Sequence, residues 1–211
     1  MVKCTSCNGL PGAHALVRSY CRNAISPDVA QDELNFTMKR SPKSAPRGKI
    51  HKMSPTERGL HVERELMRKG SPLNGALMKH LDKKGLFIVS WHAQLRVPSR
   101  CPIAAFHGYA PILDILCMHK GTGRRVPIEV KSTCHQRVRK RGKHDVGLRS
   151  PMDAFADTWS ARHHLQLAVQ NAAVGNTKSE GFLLYVESST SLKITPLNRD
   201  VWGALTASCE P

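Results

Sequence analysis

The chain has 211 residues, 32 Lys and Arg against 16 Asp and Glu, 11 His and a formal net charge of +16, a balance that points to a polyanionic partner such as DNA. That length suits one medium domain with a short appendage rather than two full domains, and no run approaches the ~18 apolar residues of a membrane span or forms a secretory leader. Seven dispersed cysteines argue against a disulfide scaffold, and 5% aromatic residues argue against rows of base-stacking side chains, leaving phosphate contact as the natural mode of binding.

Residues 1–53 show no sustained helical or strand period and read as a basic tail. Lys39-Arg40 and the cluster from Arg47 to Lys52 suit a nuclear localisation signal, a DNA-binding arm or a solvated linker. The expected setting is intracellular, and nuclear in a eukaryotic or virus-infected eukaryotic host. Cys4, Cys7, His14 and Cys21 follow the spacing C-x2-C-x6-H-x6-C, which can close a four-ligand Zn2+ site, although neighbouring Gly9, Pro11 and Gly12 suit a tail without metal equally.

Regular structure is predicted to begin at Ser54, in a domain covering 54–211. Ser54 as N-cap, Pro55 in the first helical position and Glu57 completing a capping box start a helix that runs to about Lys69, with Gly70 as its stop. Gly59, Leu60, Val62, Leu66, Met67 and Gly70 define its apolar or small side, and Glu63 is predicted to fall near the middle of that side and point inward. A loop over Ser71–Asn74, a short helix over Gly75–Leu81, and one strand or a bent pair over Leu86–Val89 and Ala93–Val97 follow.

Ile112–His119 and Arg125–Ser132 are predicted strands joined by a tight turn, Lys120-Gly-Thr-Gly123, making an antiparallel hairpin. The strand period of two places Glu129 and Lys131 on one face, opposite Val126, Ile128 and Val130. Asp114 interrupts an apolar run, where an unpaired carboxylate is costly unless it finds a partner or a metal. Two carboxylates are enough protein ligands for one Mg2+ or Mn2+, the carbonyl of Val130 offers a further oxygen, and Lys131 on the same face can hold an attacking water or offset phosphorane charge.

A basic, turn-rich stretch follows, in which Arg137, Arg139, Lys140, Arg141 and Lys143 are candidate DNA phosphate contacts. A second helix is expected from about Met152 to Val174, with Trp159, His163, Gln166 and Gln170 recurring at spacings of three and four. Gly181–Glu187 and Leu192–Thr195 supply a closing pair of strands. The order of helix, strands, helix and strands predicts an α+β domain with a central mixed sheet.

Asp114, then Glu129-x-Lys131 after a hairpin, with Glu63 on the preceding helix, resembles the PD-(D/E)XK nuclease superfamily over roughly Ser54 to Thr195. The resemblance implies a restriction-endonuclease-like core of helix, three-stranded antiparallel start, helix and strand. It implies Asp114 and Glu129 as metal ligands, Lys131 as the catalytic lysine and Glu63 as a supporting carboxylate. Gln166, within HHLQLAVQ, matches the helix glutamine of lambda-exonuclease-like and viral alkaline-nuclease-like members. Leu113 stands where the motif has proline; Pro111 lies two residues earlier.

The expected function is therefore metal-dependent DNA hydrolysis, exonuclease-type, in DNA processing, recombination or repair. A structure-selective or restriction-type endonuclease would use the same residues, and a non-catalytic basic nucleic-acid-binding protein is the other alternative.

Overall fold

A computed structural model describes residues 55–95, 111–132, 147–148, 152–155 and 158–207. The N-terminal residues Cys4, Cys7, His14 and Cys21, and the basic residues Arg137, Arg139, Lys140, Arg141 and Lys143, lie outside them. In chain order the elements are α1 (Pro55–Met67), α2 (Pro72–Lys83), β1 (Leu86–Gln94), β2 (Ile112–His119), β3 (Arg125–Lys131), α3 (Trp159–Ala173), β4 (Phe182–Val186), β5 (Leu192–Pro196) and α4 (Arg199–Ala207). The fold is α+β, with a five-stranded mixed sheet and four helices among the described residues. None of these helices is long and apolar enough to cross a membrane.

The sheet runs β1-β2-β3-β4-β5 in space. All neighbouring pairs are antiparallel except β3 and β4, which are parallel. A parallel pair needs a crossover, and α3 lies in the segment that provides it. The β2–β3 hairpin closes on the predicted turn, where Gly123 takes φ 65° and donates its N–H to the His119 carbonyl at 2.9 Å. β1 is one strand with a bulge between Ile88 and Ser90, which accounts for its broken apolar pattern.

Helices cover both faces of the sheet. Val62, Leu66, Leu73, Leu77 and Leu81 from α1 and α2 pack with Ile115, Cys117, Val126, Ile128 and Leu184. On the other face, Leu165, Val169 and Ala172 of α3 and Val201, Trp202 and Leu205 of α4 pack with Leu183 and Tyr185. Gly181 lets α3 come this close, because a Cβ there would stand 2.8 Å from Leu167 Cδ1.

Four sequence expectations change. α2 starts at Pro72 instead of Gly75: Ser71 is its N-cap, accepting the Asn74 N–H at 3.0 Å, and Pro72 takes the first turn. α3 starts at Trp159 instead of Met152, because Thr158 caps it by accepting the Ala161 N–H at 3.1 Å. Met152 instead closes a turn, its carbonyl accepting the Phe155 N–H at 3.0 Å. α4 was not expected; Asn198 caps it through the N–H groups of Asp200 and Val201 at 2.8 and 3.2 Å.

The fourth change concerns α1. Its buried line is Arg58, Val62 and Leu66, while Leu60 and Met67 are exposed. At about 100° per residue, Glu63 therefore flanks the buried stripe and is half-buried, not central to it.

Candidate functional site

The hairpin register pairs Ile115 with Ile128, so one step along the ladder Asp114 in β2 faces Glu129 in β3. Cross-strand partners share a face of the sheet. Alternation in β3 adds Lys131 to that face and sends Ile128 and Val130 to the other, against the α1–α2 layer. Asp114, Glu129 and Lys131 thus meet beneath α3, with Glu129 buried and Asp114 and Lys131 partly exposed.

Glu129 is 3% exposed. Burying a carboxylate this deeply requires donors, and three side chains supply them. Lys131 Nζ lies 2.5 Å from Glu129 Oε1, Gln166 Nε2 donates to the same oxygen at 2.6 Å, and Gln170 Nε2 donates to Oε2. Gln166 Oε1 also accepts from Lys131 Nζ at 2.9 Å, closing a ring of carboxylate, ammonium and amide. The ring fixes the amide of Gln166, since only one orientation both donates to the carboxylate and accepts from the ammonium.

Asp114 has different neighbours. Its Oδ2 accepts the Val130 N–H at 2.7 Å, a bond that also ties β2 to β3. Burial and the charge of Glu129 push its carboxyl up to about 8, with Glu63 adding to the rise and the Val130 N–H and Lys131 opposing it. Two opposed carboxylates of which one resists ionisation form a pair that a cation would stabilise.

Among the described residues no group of three or more His, Cys, Asp and Glu side chains forms a metal cage. The donor chemistry still fits a hard divalent ion, because Mg2+ commonly takes one or two protein carboxylates and keeps waters for its remaining positions. Asp114 and Glu129 supply that pair.

Gln170 is the residue that sequence reading left without a role. It is fully buried on the stripe of Gln166, one helical turn later, and that four-residue spacing was the signal available for it. The two histidines of HHLQ diverge. His163 Nδ1 lies 3.2 Å from the Tyr185 hydroxyl, and Tyr185 pairs with Lys131 across β3 and β4. His164 Nδ1 accepts the Asn198 N–H at 3.2 Å, joining α3 to the cap of α4; burial lowers its pKa to about 4 and keeps it neutral for that role.

No family model matches the chain, and no curated protein matches it.

Proposed function

We propose that the chain is a metal-dependent deoxyribonuclease hydrolysing DNA phosphodiester bonds. The observation that carries this reading is Asp114 facing Glu129 across the β2–β3 hairpin, with Lys131 on the same face. Asp114 and Glu129 would hold Mg2+ or Mn2+, and Glu63 would support the site through water or directly. An ion held by them would supply an acidified water and offset charge on the phosphorane.

Lys131 presents an ammonium beside the carboxylates, able to orient the attacking water and offset charge on the scissile phosphate. Gln166 aims that ammonium by accepting from it and donating to Glu129. The order helix, antiparallel strands, helix and parallel strand also accords with the core implied by the resemblance to PD-(D/E)XK nucleases. The net charge of +16 suits DNA as the substrate. Within this class the glutamine on α3 favours a lambda-exonuclease-like enzyme of DNA processing, recombination or repair.

The test is cleavage of linear and closed circular DNA with Mg2+ or Mn2+ by wild type, Asp114→Ala and Lys131→Ala. Wild type should cut, and both variants should bind DNA while losing at least about a hundredfold in rate, the scale of removing one charge-stabilising group. Activity indifferent to both substitutions would sink the proposal. Cutting of closed circles would replace the exonuclease with an endonuclease, and metal-independent binding without cleavage would leave a basic nucleic-acid-binding protein.

A further inference from the structure

We propose that Gln170 is a positioning residue that fixes Glu129 for divalent-cation binding, an inference that rests on the nuclease reading above. Gln170 Nε2 donates to Glu129 Oε2 and also to the Ile112 carbonyl at 3.2 Å. One amide on α3 therefore ties the carboxylate of β3 to the main chain of β2, two residues before Asp114. It sets the two halves of the carboxylate pair against a common reference.

The orientation of this amide is forced. Turned over, it would point its oxygen at two acceptors, a carboxylate and a carbonyl. In the orientation it takes, Gln170 Oε1 is buried without a hydrogen-bond partner among the described residues. An unsatisfied buried acceptor is destabilising, and an apolar side chain of similar length would fill the same space without it. Packing alone therefore does not favour glutamine here; the bond to Glu129 does.

The two oxygens of Glu129 are held in different ways. Oε1 faces Lys131, whose side chain retains 14% exposure and whose ammonium can give up its place to another cation. Oε2 faces an amide with no exposure at all, which cannot leave without stranding both the carboxylate and the Ile112 carbonyl. Oε1 is also held by Gln166 Nε2 at 2.6 Å, so Lys131 is the exchangeable partner of the carboxylate and the two amides are its fixed ones. A cation entering beside Asp114 meets a carboxylate whose plane is already set, the arrangement by which partners of a ligand raise metal affinity.

The test is Mn2+ binding to the full chain without DNA, followed by electron paramagnetic resonance and calorimetry, for wild type, Gln170→Met and Gln170→Leu. Both variants should bind Mn2+ roughly 10- to 100-fold more weakly. Their metal-free thermal midpoints should fall, because Glu129 Oε2 and the Ile112 carbonyl lose a buried donor, and saturating Mn2+ should restore cleavage to within a few fold. Variants that bind Mn2+ as tightly as a wild type that itself binds and cleaves would overturn this inference and leave the nuclease reading standing. A loss of Mn2+ affinity no larger than that of Leu205→Ala, a core variant of α4, would overturn it too, by making Gln170 a packing residue. Wild type that binds no Mn2+ would overturn both.

Discussion

Asp114→Asn should make the metal-free protein more stable while abolishing cleavage. The substitution keeps the shape of the side chain and an oxygen for the Val130 N–H, which Asp114 accepts at 2.7 Å, but removes the ionisable group. In the folded chain that carboxyl titrates at about 8, against an ordinary value of 3.8. A pKa raised on folding means that the native state holds the proton more tightly than the unfolded chain does. The group's stabilising contribution is then fully present below pH 3.8 and is lost as pH rises towards 8.

At pH 7 the unfolded carboxyl has been ionised for about three pH units while the native one still carries its proton. At 1.36 kcal/mol per unit this amounts to about 4 kcal/mol, a ceiling because Glu129 shares the field. Urea unfolding in EDTA at intervals from pH 4 to 8 reads it directly. The variant should match wild type near pH 4 and gain on it steadily, reaching roughly 2–4 kcal/mol at pH 7. A difference that stays flat with pH, or a variant less stable than wild type at pH 7, would refute a carboxylate held against its ionisation by burial and Glu129.

His164 should act in the opposite sense. Its folded pKa is depressed to about 4, so its contribution is present above the ordinary value of 6.5 and is lost as pH falls from there towards 4. His164→Gln should remove up to about 3 kcal/mol of acid sensitivity over that window; equal acid limbs in wild type and variant denaturation curves would refute the assignment. Ser71→Ala should cost about 1 kcal/mol in chemical denaturation through loss of the α2 cap, with Ser71→Gly costing less; a neutral Ser71→Ala would show that the cap adds nothing beyond Pro72.

The elements were legible where one local rule dominated. Apolar runs over Ile112–His119 and Arg125–Lys131, with a glycine turn between, identify the hairpin, and the strand period of two places Glu129 and Lys131 on one face. Ser71-Pro72 repeats the Ser-Pro signal that starts α1, and in the structure it caps α2 where the sequence suggests a loop. Thr158 and Asn198 are capping residues too, but short polar residues suit turns and caps alike, and only the packing of Leu165 and Trp202 behind them decides in favour of helices. Glu63 flanks the buried stripe of its helix because Leu60 and Met67, apolar in sequence, are exposed, while Arg58 is buried in their stead.

By itself the sequence determined the hairpin strands, the shared face of Glu129 and Lys131 and the presence of carboxylates, lysine and glutamines, because these follow from period, turn chemistry and residue type. Tertiary structure decided that Asp114 faces Glu129, which is a matter of hairpin register. It also decided that α3 lies over that pair, so that Gln166 and Gln170 divide the oxygens of one buried carboxylate between them. Those contacts join residues far apart in the chain, and the docking of a helix on a sheet is set by the packing of whole faces, which no local pattern encodes.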